Sequence, residues 1–520
     1  MNDTVTSVEK HGTEQGVDQV EVGKLLLNGG TERYEVEWDA DAKVTPMGSV
    51  VFFAQYLQTG GLMDRLCQGT PLAYSSNNAP KERDVLGTIV LSILNGQTRY
   101  AHINALRGER VGAEMLGVSK VVSEDSVRRA LKRGTLQEWD GWLTVQERAV
   151  YEPLLCEPYV LDIDNTVKPL YGHQEGAEKG YNPQKPGRPS HNYHTYFIGS
   201  LRVVLGVEVM PGKKHAGRHS MPGLWRLIDS LSADCRPRMI RGDVSYGNEN
   251  GMVEAEKRNQ SYLFKLRRTT KVKAQIRELE CDRDAWSDAG SGWQGTEQHL
   301  KLSGWSRARR CIFLRRPAER KPNRKALTPS TESEFSFVEH LDSGPVYEYI
   351  VLVTNDELPI MALAQLYRDR ADCENVFDEI KNQWGWAGFV THDLKRCRII
   401  ARLIALIYNW WNVFTRLARP DQHMEAITSR PLLLYAVGRM VSTGRRKIIR
   451  LTSTHAMSDQ IRLALSRIGQ FLSRLARTAE QLNVEAVWAI ILSVAFVKWL
   501  RGKVLAPVVE GNQTLLRLTP

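Results

Sequence analysis

Apolar positions between Val50 and Leu155 recur every three to four residues, and this spacing predicts a mostly helical region. The stretch from Leu116 to Gly134 predicts one helix in detail. Ser123 is suited to cap its start, because a serine hydroxyl can accept a free backbone N–H, and two acids follow in the first turn. Gly134 is suited to end the helix.

This predicted helix carries its charges on one side. Val127 and Leu131 form an apolar face, whereas Arg128 and Arg129 belong to a basic face. With the helical segment before it, the pattern predicts a helix-turn-helix in which Arg128 and Arg129 contact DNA. An ordinary surface helix with a basic C-terminal end explains the pattern equally well.

From Tyr159 onward the pattern changes to short runs that are typical of β-strands. Three strands followed by alternating helix and strand predict a mixed α/β sheet. Strands are expected over 159–164, in two segments between Tyr193 and Val209, over 238–243 and over 261–266, with helices over 224–231 and 249–258.

The later part of the chain breaks this rhythm. Residues 270–350 are rich in Arg, Gly, Ser and Trp, which indicates a β-rich insertion. Three of its tryptophans are expected to form a small core or to stack on a DNA base: Trp286, Trp293 and Trp305. One long helix is predicted from Leu358 to Gln383, and after Gly385 the chain is predicted to be helical to its end.

The formal net charge of +11 is distributed unevenly. Residues 1–45 hold ten acids and four bases, whereas residues 301–330 and residues 430–477 each hold ten bases and one acid. Dense basic segments are typical of a surface that binds a polyanion, although a solvated face is the simpler alternative. The first basic segment contributes four arginines expected to contact DNA: Arg309, Arg310, Arg315 and Arg316.

Other features narrow the class of protein. No apolar run reaches the ~18 residues of a membrane span, and the polar start of the chain does not resemble a signal peptide. The seven cysteines contain no CxxC pair, which fits a reducing compartment. No cofactor loop is found. The sequence therefore predicts a cytoplasmic protein without a membrane partner or a small-molecule substrate.

Two of the predicted strands end in aspartates. Asp162 and Asp164 lie on one face of the first strand, because strand side chains alternate, and Asp243 ends the strand over 238–243. Acids at the carboxyl ends of sheet strands are a usual way to hold Mg²⁺ with open coordination positions. Unrelated turn aspartates are the alternative.

The predicted long helix presents a third group of candidates. Tyr367, Arg370, Glu374 and Lys381 stand at offsets 0, 3, 7 and 14, which places them within a wedge of roughly 60°. One face thus offers a carboxylate together with groups that bind phosphate. A solvated charge face with an Arg370–Glu374 pair is the alternative.

Together these residues resemble a known family. The spacing Tyr367-x2-Arg370-x3-Glu374-x6-Lys381 is similar to the YREK motif of bacterial insertion-sequence DDE transposases. Asp164 resembles their first aspartate and Asp243 their second, although Gly-Asp-Val-Ser-Tyr-Gly around Asp243 departs from the usual Asp-Ser-Gly-Phe. The stretch LDIDNTVKPLYGHQEG and the later GWAGF are most similar to the insertion-sequence 1380 family, and the resemblance covers roughly residues 155–450.

The resemblance implies a fold and a site. The fold would be an RNase H-like mixed sheet with a β-rich insertion, flanked by helical N-terminal and C-terminal domains. Asp164, Asp243 and Glu374 would be catalytic and would hold two Mg²⁺ ions, for which Mn²⁺ can substitute. The residues implied to bind DNA phosphates near the cleaved end are Thr166, Tyr367, Arg370 and Lys381.

It also implies an organisation along the chain. An acidic N-terminus (1–45) would precede a helical DNA-end-binding domain (46–155). The catalytic core would comprise 156–269 and 353–415 around the insertion at 270–352. A basic helical domain (416–520) would follow, and its apolar stripe from Ile461 to Leu475 would either form a dimer seam or pack on its own domain.

The function implied is cut-and-paste transposition. The chain would bind the terminal inverted repeats of its element as a homodimer in a synaptic complex, with double-stranded transposon-end and target DNA as partners. It would then cleave and transfer DNA strands with Mg²⁺. The alternatives are a non-catalytic DNA-binding relative and an RNase H-like nuclease.

Overall fold

The computed structural model describes residues 25–29, 32–183, 185–282, 284–318, 337–339, 346–454, 456–478 and 482–505. The chain divides into two compact units, Met1–Val44 and Thr45–Pro520. In the first unit, strands β1 (Leu25–Gly29) and β2 (Glu32–Val36) pair antiparallel. A two-residue strand, β3 (Val44–Thr45), lies at the division.

Helices fill the region before the large sheet. The predicted cap of one of them is confirmed, because the Ser123 hydroxyl accepts the Ser126 N–H at 3.2 Å. Another begins with a capping box, in which Thr135 and Glu138 each bind the other's backbone N–H. The bounds are α1 (Val50–Thr59), α2 (Leu62–Cys67), α3 (Glu82–Leu94), α4 (Ile103–Leu106), α5 (Arg110–Met115), α6 (Glu124–Ala130) and α7 (Leu136–Tyr151).

The large sheet is mixed. Its strands are β4 (Val160–Pro169), β5 (Glu178–Lys179), β6 (Pro189–Ile198), β7 (Val203–Pro211), β8 (Met239–Gly242), β9 (Ser261–Lys265), β10 (Ser287–Asp288), β11 (Gln294–Leu300), β12 (Arg309–Pro317), β13 (Phe337–Glu339) and β14 (Tyr347–Thr354). The strand order is β10-β11-β12-β14-β9-β8-β4-β6-β5, with β7 on β6 and β13 on β14. The β4–β8 and β8–β9 pairs are parallel, and the neighbouring β4–β6 and β14–β9 pairs are antiparallel. The predicted fold class, a mixed α/β sheet with helical flanks, is therefore confirmed.

Helices pack against this sheet. The longest is α14, whose Asn409 side chain binds both the N–H and the carbonyl of Val204 at 2.9 and 2.7 Å. These bonds satisfy backbone groups of the outer strand β7 that have no strand partner there. The helices are α8 (Ala216–His219), α9 (Met221–Ser230), α10 (Glu249–Lys257), α11 (Thr270–Cys281), α12 (Ile360–Arg368), α13 (Ala371–Gln383) and α14 (Leu394–Ala418).

The segment predicted as a β-rich insertion extends the sheet. It begins with the helix α11 and then forms β10 to β14, and β14 pairs with the edge of β9. Trp286, Trp293 and Trp305 are buried in it, and each ring lies under an arginine guanidinium, at 4.0, 4.8 and 5.3 Å. These contacts agree with the core alternative for the tryptophans.

The helix predicted from Leu358 to Gln383 is wrong in one respect, because it is broken into α12 and α13. In a continuous helix the Leu366 carbonyl would accept the N–H of Arg370. Here it accepts the guanidinium of Arg241 instead, and the Arg370 N–H binds the Tyr367 carbonyl at 3.1 Å. The chain therefore tightens at Asp369 and Arg370 and turns.

The prediction of an all-helical end is also wrong. Strands β15 (Gly438–Thr443) and β16 (Arg446–Leu451) form an antiparallel hairpin, with Gly444 at a φ of 57° in its two-residue turn. The surrounding helices are α15 (Ala426–Leu433), α16 (Ser458–Thr478) and α17 (Val484–Ala495). The apolar stripe of α16 is buried against α1, α14 and α15, which excludes it as an open dimer seam. Within the described ranges, no helix combines the length and apolar character needed to span a bilayer.

Candidate active site

The first two candidate aspartates lie side by side where the parallel pairing of β4 with β8 ends. Asp243 directly follows β8, as predicted, but β4 continues past Asp164 to Pro169 because it stays paired with β6, so the predicted strand end at Asp164 is wrong. In the parallel pair β4–β8, Ile163 stands opposite Gly242, so Asp164 and Asp243 follow at matching positions. Asp164 accepts the N–H of Asn165 at 2.7 Å, and Asp243 accepts the N–H of Ser245 at 2.9 Å. Both side chains are half-buried.

The third acid lies in the same electrostatic environment. Burial raises the pKa of Asp164 well above its ordinary value, Arg370 opposes this rise, and the carboxylates of Asp243 and Glu374 add to it. Glu374 is exposed in the first turn of α13. The structure thus brings the three sequence-predicted acids within electrostatic reach of one another.

The other members of the helix motif point to β4. Arg370 is 6% exposed, and its guanidinium donates to the Asp164 carboxylate at 2.5 Å. The Lys381 ammonium donates to the Thr166 hydroxyl at 3.3 Å. Tyr367 is buried beside them, and burial raises its pKa. In this arrangement Arg370 binds an acid of the site, whereas the motif predicted that it binds a phosphate.

Asp162 proves to have a structural role. Its two oxygens accept the Arg241 guanidinium at 2.5 and 2.8 Å, and both residues are almost fully buried. Arg241 also donates to the Leu366 carbonyl at the end of α12. The pair therefore joins β4 and β8 to the turn that carries Arg370.

Sequence reasoning missed Lys265. This lysine ends β9, next to β8, and it is 6% exposed. Burial, with a smaller contribution from Arg370, lowers its pKa to about 8, although Asp243, Glu348 and Glu374 oppose the decrease. The sequence signal that could have identified it is a lysine at the end of an apolar strand, the next strand after Asp243 in the chain.

The three carboxylates have the oxygen donors that Mg²⁺ prefers, and a cation would offset the repulsion that raises the pKa of Asp164. Among the described residues, no three His, Cys, Asp or Glu side chains are grouped closely enough to hold a metal ion. The Arg370 ion pair occupies an Asp164 oxygen and Glu374 faces solvent. The donor chemistry fits a divalent ion, and in this arrangement Arg370 is the positive charge bound to Asp164.

A known family matches most of this chain, including the segments that carry Asp164, Asp243 and Glu374. The family described as "Transposase DDE domain group 1" matches residues 33–473. The chain belongs to this transposase family. The family match covers the whole site, from Asp164 to Lys381.

One solved structure is similar across most of this DDE-family chain. It is the cryo-EM structure of a piggyBac transposase synaptic complex with hairpin DNA. The identity is 10%, the TM-score is 0.35, and the match covers 86% of this chain and 85% of that one. No curated protein matches.

The insertion arginines of this transposase-family chain are mostly engaged inside the protein. Arg309 has a side chain only 2% exposed and binds Glu249 and Glu256. Arg315 is buried between Trp286 and Tyr347. Neither is presented to a phosphate, because burial and protein partners take up their donors.

Two more of the predicted DNA contacts in the insertion are only partly accessible. Arg310 binds Glu297 and the carbonyls of Asp356 and Leu358, whereas Arg316 is 48% exposed beside Glu348. The basic residues predicted beyond them lie outside the described residues: Arg320, Lys321, Arg324 and Lys325.

The arginines predicted on α6 differ from each other. Arg128 lies over the Tyr100 ring and pairs with Glu124 and Asp125 on its own helix. Arg129 is exposed. Contact of either with DNA stays a prediction.

Proposed function

We propose that the chain is the DNA transposase of a bacterial insertion sequence, most similar to the 1380 family. It binds the terminal inverted repeats and catalyses Mg²⁺-dependent strand cleavage and strand transfer in cut-and-paste transposition. One observation carries the proposal: Asp164, Asp243 and Glu374 share one electrostatic environment in a chain of a DDE family.

The three carboxylates would hold the divalent ions, Mg²⁺ or Mn²⁺. Such ions activate an attacking oxygen and stabilise a leaving oxygen in phosphodiester chemistry. Asp164 lies within β4 and Asp243 directly follows β8, whereas Glu374 comes from the exposed first turn of α13. The strand acids are thereby fixed to the sheet, and the helix contributes the third.

Arg370 would serve two successive roles. Before DNA binds, it neutralises Asp164 through the ion pair at 2.5 Å. Asp164 would be among the residues that hold the cation, and the Arg370 guanidinium would then bind a DNA phosphate through directional, charge-assisted hydrogen bonds. Lys381, held at Thr166, would supply a second positive charge beside the same strand.

The partners follow from this chemistry. Transposition joins two transposon ends to a target, so double-stranded DNA and a second copy of the chain in a synaptic complex are required. The protein would act in the cytoplasm, on the DNA of the host. Arg129 and Arg316 are the exposed members of the sequence-predicted contacts that remain available to DNA.

The test is incubation of the full chain with Mg²⁺ and linear DNA carrying the element's own ends, followed by strand analysis on denaturing gels. Cleavage at the ends and joining to a target plasmid are expected. Glu374→Gln is the matched control. It replaces an exposed carboxylate with a neutral amide of nearly the same shape, so the fold should stay intact. It should bind ends but neither cut nor join.

The Arg370–Asp164 pair is also the observation that favours a non-catalytic DNA-binding relative, since a side chain of the protein already neutralises this acid. End binding without cleavage by either the wild type or Glu374→Gln would support that alternative. Cleavage without joining would indicate an RNase H-like nuclease.

A further inference from the structure

A cavity of about 830 Å³ opens beside the second aspartate. Its wall includes Val244 and Ser245, which directly follow Asp243, and Ser303 and Trp305 from the connection between β11 and β12. The volume lies within the ~300–1,000 Å³ typical of ligand sites. The cavity therefore adjoins the candidate active site without containing any residue assigned to it above.

The lining is strongly cationic. The cations Arg218, Arg267 and Lys271 line the cavity beside His215, against one carboxylate from Glu254. That carboxylate is already neutralised, because it accepts Lys257 at 2.8 Å and Arg258 at 2.6 Å. The cavity thus carries a surplus of positive charge.

Two of these cations are available to a ligand. Arg218 and Arg267 are exposed, and neither guanidinium has a hydrogen bond or ion pair with another residue in the described part of the chain. Lys271 donates to the Lys301 carbonyl at 2.5 Å, which orders its stem at the rim and leaves two ammonium donors. His215 accepts the Gly217 N–H through Nδ1, so its Nε2 carries the proton and can donate.

The backbone adds to this charge. The helices α10 and α11 both begin at the cavity wall, with Asn248 and Thr269 as their caps. The N-terminal end of a helix carries a partial positive charge and favours anions. Glu249 in the first turn of α10 does not cancel this effect, because Arg309 pairs with it at 2.6 Å.

We infer that this cavity binds the phosphodiester backbone of the DNA strand that passes Asp243, with Arg218 and Arg267 as the phosphate ligands. The guanidinium groups suit phosphate oxygens geometrically. The inference rests on the proposed function for the identity of the ligand, but the cationic cavity itself does not depend on catalysis.

The experiment measures DNA binding by fluorescence anisotropy in EDTA over a series of salt concentrations. Each phosphate neutralised by the protein contributes about 0.9 to the slope of log K against log[salt] for a duplex and about 0.7 for a single strand. The double variant Arg218→Gln/Arg267→Gln should therefore lower the slope by about 1.8 for duplex DNA, or by about 1.4 if the bound strand is single.

The matched control is Arg419→Gln/Lys498→Gln, which removes the same charge at positions that do not line the cavity. It should leave the slope unchanged. If the cavity variant also keeps the wild-type slope, the inference is overturned, whether or not the wild type cleaves DNA. A wild type that fails to cleave while the cavity variant loses slope would overturn the proposed function and leave this site standing.

Thermal melting with inorganic pyrophosphate distinguishes two possible ligands of the cavity, the phosphates of DNA and a free phosphate anion. Pyrophosphate should raise the melting temperature of the wild type more than that of the cavity variant, and it should compete with DNA. A pyrophosphate effect that requires both arginines, combined with an unchanged DNA slope, would mean that the cavity takes a free anion and would overturn the DNA assignment.

Discussion

The two aspartates of β4 lie two residues apart, and each binds an arginine, yet their surroundings differ. Asp162 is 1% exposed, is held by both arms of Arg241, and has no second acid beside it in the described contacts. Asp164 accepts one arm of Arg370 and is repelled by Asp243 and Glu374. The Asp162–Arg241 pair is balanced, whereas the Asp164–Arg370 pair lies beside two further acids.

This difference separates a structural pair from a functional one. A balanced buried pair is costly to break, because either partner left alone is a buried charge. A site with excess negative charge is instead electrostatically strained, and a ligand cation or phosphate-bound metal can relieve the strain. Sequence alone shows two similar aspartates, whereas the neighbours decide their roles.

The largest effect is expected at the balanced pair. Asp162→Asn should lower the free energy of unfolding by about 3–5 kcal/mol, because it leaves Arg241 buried without a counter-charge. Chemical denaturation measures this loss. Asp162→Leu combined with Arg241→Met should recover much of it, since an apolar pair avoids both desolvation costs. A variant Asp162→Asn as stable as the wild type would show that the pair has no structural role.

At Asp164 the same substitution should act on activity. Asp164→Asn should reduce end cleavage by more than about 100-fold. A loss of about 100-fold is the upper end for a residue that only supports a metal ligand, and Asp164 would itself be a ligand. Its unfolding free energy should change by less than about 1 kcal/mol, because losing the Arg370 pair and losing repulsion from two acids oppose each other. Parallel cleavage and denaturation assays check this. Equal damage to stability at both aspartates would remove the distinction.

The sequence predicted much of this site because its signals were local. The apolar run before Asp243 predicted the strand that ends there, and the YREK spacing places four side chains on one chain segment. The strand end predicted at Asp164 is wrong, because the pairing of β4 with β6 continues to Pro169. Lys265 and the Arg370–Asp164 bond could not be predicted, since both depend on which strands become neighbours. The break between α12 and α13 was missed for the same reason: its cause is a side chain 125 residues earlier, Arg241.

Charge density misled in the insertion because it carries no information about burial. Arg309 and Arg316 look alike in the sequence, but one side chain is 2% exposed between two glutamates and the other is 48% exposed. Arg309 thus resembles Arg241, a cation balanced inside the protein. The contrast between a balanced, buried ion pair and an accessible one therefore also holds in the insertion.

Replacing Arg309 and Arg316 one at a time tests whether this contrast also holds in the insertion. Arg309→Gln should lower the free energy of unfolding by about 1–3 kcal/mol, because it leaves Glu249 and Glu256 without their charged donor. Arg316→Gln is the control and should stay within about 0.5 kcal/mol, as expected for an exposed pair. Denaturant midpoints provide the measurement. The contrast does not hold there if the two variants lose equal stability.

The smallest effect concerns pH and isolates the open pair at Asp164. Burial raises the pKa of this carboxyl and Arg370 lowers it, so Arg370→Gln should raise the pKa further. If cleavage needs ionised Asp164, the acidic limb of the pH–rate profile should move to higher pH, and the rate below the limb should fall by about tenfold or more. Lys381→Gln is the control. Lys381 binds Thr166 and is not among the groups that shift the pKa of Asp164. This substitution should therefore weaken DNA binding without moving the acidic limb. If the acidic limb of the Arg370→Gln variant lies at the same pH as that of the wild type, Arg370 does not set the charge of Asp164. The contrast with the Asp162–Arg241 pair would then rest on burial alone.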